Sequence, residues 1–186
     1  MDQNMIEVQG QKFHPPSIQT DRGTAAIDDY YKTRVPNTQP LTVDHENWAM
    51  VYHNRDYELA NQVISQFSKA SRALGMKFNG DPFFTEIPDD NQARSDGVQN
   101  TRNGLNYVHY INRDFGGAEG GRIKIVFVII QRDTDYANVK KCLDNLGLVS
   151  QIMVEKNIKR IVNSLGPVSN ILRQVNAKTY KDLYRL

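Results

Sequence analysis

The sequence predicts a small doubly wound α/β domain, and three observations carry that prediction. Arg122 to Gln131 is an apolar run with two hydrophobic faces, as a strand at the centre of a parallel sheet requires. It is followed by a capping pair, an amphipathic stretch, a glycine and a second β-rich run, which make one β-α-β unit with a right-handed crossover expected. Upstream, another strand candidate precedes a long amphipathic stretch, so strands and helices alternate along the chain.

In chain order, residues 1–45 hold prolines in polar clusters, His14-Pro15-Pro16 and Val35-Pro36-Asn37, without a sustained period, and read as an extended linker. The remaining span, 46–186, is the predicted domain. Asn47 to His53 is a buried-strand candidate. Tyr57 to Leu74 places Leu59, Val63, Ile64, Phe67, Ala70, Ala73 and Leu74 on one helical face, and Gly75 ends that helix. Met76-Lys77-Phe78 reads as a short strand, Asp81 to Pro88 as a loop, and Gln92 to Phe115 as a more polar helix that Gly97 and Gly104 weaken.

The glycine-rich loop Gly116 to Gly121 ends a helix and precedes a strand, the reverse of a dinucleotide fingerprint, so it carries no nucleotide reading. After the central strand, Asp133 and Thr134 cap a helix reaching Leu146, and Gly147 terminates it. Val149 to Val154 is the next strand. A last helical region spans Ile158 to Lys178, interrupted around Gly166-Pro167. The sum is a Rossmann-like, mostly parallel sheet flanked by helices.

Composition narrows the function. The 186 residues are 39% hydrophobic and 24% charged, enough for one core of ordinary size. The lone cysteine, Cys142, has no disulfide partner and no zinc-ligand companions, and reads as a core residue of an intracellular protein, in cytoplasm or nucleus. The four histidines are scattered without ligand spacing. No run approaches the ~18 apolar residues of a membrane span, and the first residues, MDQNMIEV, do not resemble a secretory leader. A soluble monomer that avoids membranes is expected. Residues 122–186 carry 12 Lys/Arg against 5 Asp/Glu, so the net charge of +2 conceals a basic C-terminal third. That excess suits an anionic ligand, although most such runs are simply solvated faces.

In an open α/β sheet, ligands lie beyond the carboxyl ends of the strands, where helix N-termini favour anions. The loop Gln131 to Asp135 falls there. Tyr136 and Lys140 are four apart at the start of the following helix and share a face. Gln151 is expected on the same rim, with Lys178 closing the pocket and Gln174 one turn before it. These are hydroxyl, amide and ammonium groups, suited to holding a phosphate rather than cleaving a bond. Taken singly, each is more often a surface lysine, a solvated glutamine or a core tyrosine.

The joint pattern is more specific. Ile125-Val-Phe-Val-Ile-Ile-Gln-Arg-Asp-Thr-Asp-Tyr-Ala-Asn-Val-Lys-Lys, Val149-Ser-Gln-Ile-Met-Val-Glu-Lys-Asn-Ile and Asn170-Ile-Leu-Arg-Gln-Val-Asn-Ala-Lys, in that order and spacing, resemble the MID domain of Argonaute and Piwi proteins. The segment Met5 to Pro16 is similar to the linker entering that domain, and Trp48 and Gly75-Met76 fall where its first strand and first helix end are expected. The resemblance implies that Tyr136, Lys140, Gln151 and Lys178 hold the 5′-monophosphate of a small single-stranded guide RNA, with Gln174 and Asn157 supporting and the Tyr136 ring stacked on the first base. It implies that Arg132, Asp133, Thr134 and Asp135 read that base through their backbone, although the loop is shorter than in Argonautes. Gln174 stands where Argonaute-clade members carry lysine and Piwi-clade members glutamine, which implies a Piwi-type, piRNA-like guide in RNA silencing. It further implies a Mg²⁺ ion bridging the phosphate near Gln151 and a carboxylate of the adjoining PIWI domain, and a parent chain with PIWI and PAZ-side domains as partners. The family's slicing acids lie in the PIWI domain, so a non-catalytic piece of a larger protein is expected.

Two other readings compete. A small α/β nucleotide hydrolase or phosphotransferase would need Asp133 or Asp135 as a base, and capping accounts for Asp133 without chemistry. A basic protein-docking module would use the charged C-terminal third.

Overall fold

Alternation along two strands decides the architecture. The computed structural model describes residues 17–20, 23–26, 40–45 and 47–180. The strands are β1 (Ser17–Thr20), β2 (Gly23–Ala26), β3 (Thr42–Val43), β4 (Trp48–His53), β5 (Lys77–Phe78), β6 (Phe83–Ile87), β7 (Ile125–Ile130) and β8 (Ser150–Val154). The helices are α1 (Tyr57–Ala73), α2 (Asp90–Ser95), α3 (Leu105–Phe115), α4 (Tyr136–Asn145), α5 (Glu155–Ile161) and α6 (Leu165–Tyr180). Every residue of β4 and β7 is buried. Because successive side chains point to opposite faces, Trp48, Met50, Tyr52, Phe127 and Ile129 enter one core with Phe67 of α1 and Leu172 and Val175 of α6. Ala49, Val51, Val126, Val128 and Ile130 enter the other with Tyr107 and Ile111 of α3 and Val139 and Leu143 of α4.

The main sheet has the order β6-β4-β7-β8, all parallel. The chain leaves central β4 for β6 on one side and returns to β7 on the other. The expected doubly wound sheet, with helices on both faces and β7 interior, is what the fold contains. The crevice between the carboxyl ends of β4 and β7 is therefore its topological switch point.

Several local expectations change. The segment read as a loop, Asp81 to Pro88, contains β6, an edge strand whose flanking Pro82 and Pro88 sit where an edge tolerates them. The long helix read over Gln92 to Phe115 is two helices. Gly97 (φ +88°) and Gly104 (φ +76°) adopt left-handed backbone between them, which no helix interior accommodates. The final helical region breaks at 162–164 rather than at Gly166-Pro167, and Pro167 lies in the first turn of α6, where its missing N–H costs nothing. Most of the predicted 1–45 linker lies outside the described residues. Within it, β1 and β2 form an antiparallel hairpin, and at its end Leu41 and Val43 are fully buried, with the Leu41 N–H donating to Asn176 Oδ1 at 2.7 Å. Cys142 is buried, as expected. No helix among the described residues is long and apolar enough to cross a membrane.

Candidate functional site

Two helices on opposite faces of the sheet send a lysine to the same strand end. Lys140, on the second turn of α4, donates to Ser150 Oγ at 3.2 Å and to Asp144 Oδ1 at 2.5 Å. Lys178, on the last turn of α6, donates to the Ser150 carbonyl at 3.0 Å and to Gln151 Oε1 at 2.8 Å. Around them is a cavity of about 430 Å³ lined by Lys140, Asp144, Leu148, Ser150 and Lys178. Burial and, after it, the neighbouring Lys140 push the Lys178 ammonium below its ordinary value, with Asp144 opposing. Two cations thus face a neutral strand end, with the Asp144 carboxylate paired to Lys140.

The structure brings together Lys140, Gln151 and Lys178 of the predicted set, but not where expected. Gln151 does not share the rim of the Gln131 to Asp135 loop. Strands β7 and β8 are parallel with Phe127 opposite Gln151 and Ile130 opposite Val154, so Gln151 lies at the amino end and Val154 beside the loop. Three residues of strand, roughly 10 Å, separate them. Position in the sequence misleads here because opening a parallel strand means starting at the rim opposite its ligand end. Tyr136 is 48% exposed at the first position of α4, and Gln174 and Asn157 are also exposed; none of the three lines the cavity. Ser150 and Asp144 escaped the sequence reading. Asp144 had a signal, its i,i+4 spacing from Lys140; Ser150 had none, since its role comes from the strand register.

The base-reading loop divides between two surroundings. Asp133 forms an ion pair with Lys156 at the start of α5. The expected capping by Asp133 and Thr134 is replaced by Asp135, whose carboxylate accepts from the Arg132 N–H at 3.3 Å and closes a short 3₁₀ turn, Asp133–Asp135, ahead of α4. Asp135 is 7% exposed, and burial raises its pKa. Arg132 and Asp135 line a second cavity of about 430 Å³, above the carboxyl ends of β4 and β7.

The residues do not fit a resident Mg²⁺ at Gln151. The amide oxygen a cation would use accepts from the Lys178 ammonium, and Lys140 stands nearby. Among the described residues, no group of three or more His, Cys, Asp or Glu is placed to hold a metal.

No protein-family model matches the chain, and neither does any curated protein. Solved structures do match. Drosophila Piwi superposes with a TM-score of 0.67 at 17% identity, over 95% of this chain and 23% of its own. The MID domain of Arabidopsis thaliana AGO5 gives 0.53 at 19% identity, over 81% of this chain and 96% of its own. Clostridium butyricum Argonaute, bound to a guide DNA with a 5′ deoxycytidine and to a 19-mer target DNA, gives 0.58 at 15% identity, over 88% and 23%. At such identities the likeness is one of fold. The chain has the Rossmann-like fold of an Argonaute MID domain and spans about a quarter of the length of the Piwi chain.

Proposed function

We propose that this chain is a guide-anchoring module that binds the 5′-monophosphate end of a small single-stranded RNA as part of a larger Argonaute-like protein. The observation that carries the reading is the convergence of Lys140 and Lys178 on the start of β8. A phosphate entering between them relieves the repulsion and desolvation that depress Lys178, and accepts charge-assisted hydrogen bonds from both. Gln151 then releases Lys178 and turns its amide donors to the phosphate. The exposed Tyr136 ring offers a stacking surface to the first base, worth ~1–3 kcal/mol in single-strand binders. Gln174 and Asn157 support the same end of the guide, and Arg132 to Asp135 form the loop next to that base. Glutamine at 174 favours a Piwi-type, piRNA-like guide. The module binds and does not cleave, and its expected partners are the PIWI and PAZ-side portions of the parent chain.

The fold supports the reading through its likeness to an Argonaute that carries a guide. A titration of the chain with UMP and with uridine, followed by NMR, tests it. UMP saturates with salt-sensitive shifts around Ser150, uridine does not, and Lys178→Ala weakens UMP roughly tenfold or more, the loss of one hydrogen bond to a charged group. Equal binding of UMP by wild type, Lys140→Ala and Lys178→Ala would contradict it.

A further inference from the structure

The β6 edge of the sheet is not built as solvent-facing edges usually are. Strand β6 pairs with β4 on one side, and its other side has no strand partner among the described residues. Edges left to solvent are commonly blunted by lysines, prolines or bulges, because their free backbone groups recruit other strands. Pro82 and Pro88 bound β6 and limit any new ladder to the five residues between them. Within those five there is no lysine. Phe83 and Phe84 are both exposed instead, Phe84 to 41%.

Successive residues of β6 point to opposite faces of the sheet. On the face that carries α1, the Phe84 ring stands perpendicular to the Tyr52 ring at 6.0 Å, and Tyr57, 54% exposed at the start of α1, lies 6.3 Å from Tyr52. Tyr52 itself is buried, and its register partner on β6 is the exposed Glu86. The three rings form an aromatic surface with a carboxylate beside it. On the other face Phe83 packs against Phe115 at 5.7 Å, and Thr85 donates to Asp114 Oδ2 at 2.8 Å, which fixes the strand against α3.

The charge around this edge has one sign. Residues 79–93 hold Asp81, Glu86, Asp89 and Asp90, all exposed, and no Lys or Arg. Glu58 adds an exposed carboxylate next to Tyr57. Aromatic faces and carboxylates together favour a cation: the rings attract guanidinium and ammonium groups, and an opposite charge across a strand pair adds to that attraction. The same surface repels the phosphates of a nucleic acid. Strands β6 and β8 are opposite edges of the sheet, so this surface is separate from Lys140 and Lys178.

We propose that the outer edge of β6 docks a short extended peptide segment bearing arginine or lysine at alternate positions, which joins the sheet as a further strand. Main-chain hydrogen bonds to Phe83–Ile87 supply affinity. Side chains on the α1 face supply selectivity, since a cation there meets Glu86 and covers the Phe84 and Tyr57 rings. The site stands whether or not Lys140 and Lys178 hold a guide.

The test is an NMR and calorimetric titration of the chain with acetyl-Val-Arg-Val-Arg-Val-amide and with its glutamate counterpart, in wild type, Glu86→Lys, Phe84→Thr and Lys178→Ala. The arginine peptide is expected to saturate with amide shifts across residues 83–87 and to weaken as salt rises, and the glutamate peptide is expected not to bind. Glu86→Lys and Phe84→Thr each weaken the arginine peptide about fivefold or more, and Lys178→Ala leaves it unchanged. Glu86 and Phe84 are both exposed, so neither variant empties a core position. No saturation by the arginine peptide, equal binding of the two peptides, shifts that bypass β6, or undiminished binding by Glu86→Lys would overturn the proposal. Sedimentation that finds a dimer of the chain, abolished by Phe84→Thr, would overturn it as well, because the occupant would then be a second copy.

Discussion

Lys178 shows how a residue can be poorly placed for stability and well placed for binding. Its ammonium is depressed below the ordinary 10.5 by burial first and Lys140 second. The unfolded chain therefore holds that proton more tightly than the folded one, and Lys178 makes stability rise as pH climbs through the folded pKa toward 10.5. Lys178→Met should flatten that rise and leave the melting temperature at neutral pH unchanged or higher, while UMP binding falls. Thermal melts between pH 7 and 10.5 check the first part and the titration the second. A bound phosphate raises the same pKa, so UMP affinity should decline as pH rises over that range. Sequence spacing foresaw that Lys140, Gln151 and Lys178 meet. It did not foresee at which rim, because the rim depends on the β7–β8 register and not on any local pattern.

Among the elements, those with strong periodicity were legible: β4, α1, α4 and β8 lie within a residue or two of their sequence-predicted limits, and β7 begins three residues later than predicted, at Ile125. The elements that tertiary contact creates were not. Among the described residues the edge strand β6 pairs only with β4, and the 3₁₀ turn before α4 depends on Asp135 reaching back to Arg132. That turn yields a graded prediction. Asp135→Ala removes the acceptor and should cost about 1 kcal/mol of stability, as lost caps do. Asp135→Asn keeps an oxygen for the Arg132 N–H while removing a buried charge, so chemical denaturation should find it less destabilised than Asp135→Ala. Gly104→Ala should be worse than a simple propensity change. A left-handed position costs a non-glycine residue ~1–2 kcal/mol, and the new Cβ also meets the Asp135 carbonyl at 2.8 Å. Urea melts should therefore place its loss above ~1 kcal/mol, with NMR shifts running into α4.

At the scale of the whole molecule, stability and site share one scaffold. Phe127 is fully buried in β7, within 4.7 Å of the Phe67 ring and 6.0 Å of the Trp48 ring by centroid. Phe127→Ala should cost ~3–5 kcal/mol, a large share of a typical domain's 5–15, and equilibrium unfolding in denaturant measures it. Acid should also weaken the fold through His53. Its pKa is lowered by burial, and by Arg55 to a lesser degree, so the unfolded state takes up protons first and stability falls as pH drops through 6.5. His53→Asn should blunt that fall in a melting series from pH 8 to 5.

The guide-anchoring reading is tested most directly by the affinity of the chain for one short RNA prepared with a 5′-monophosphate and with a 5′-hydroxyl, at two salt concentrations. The account predicts tighter binding of the phosphorylated form by tenfold or more, a steeper salt dependence for that form, and loss of the difference when Lys140 and Lys178 are both replaced by alanine. Equal affinity for the two RNAs, or a preference that survives the double replacement, would contradict it.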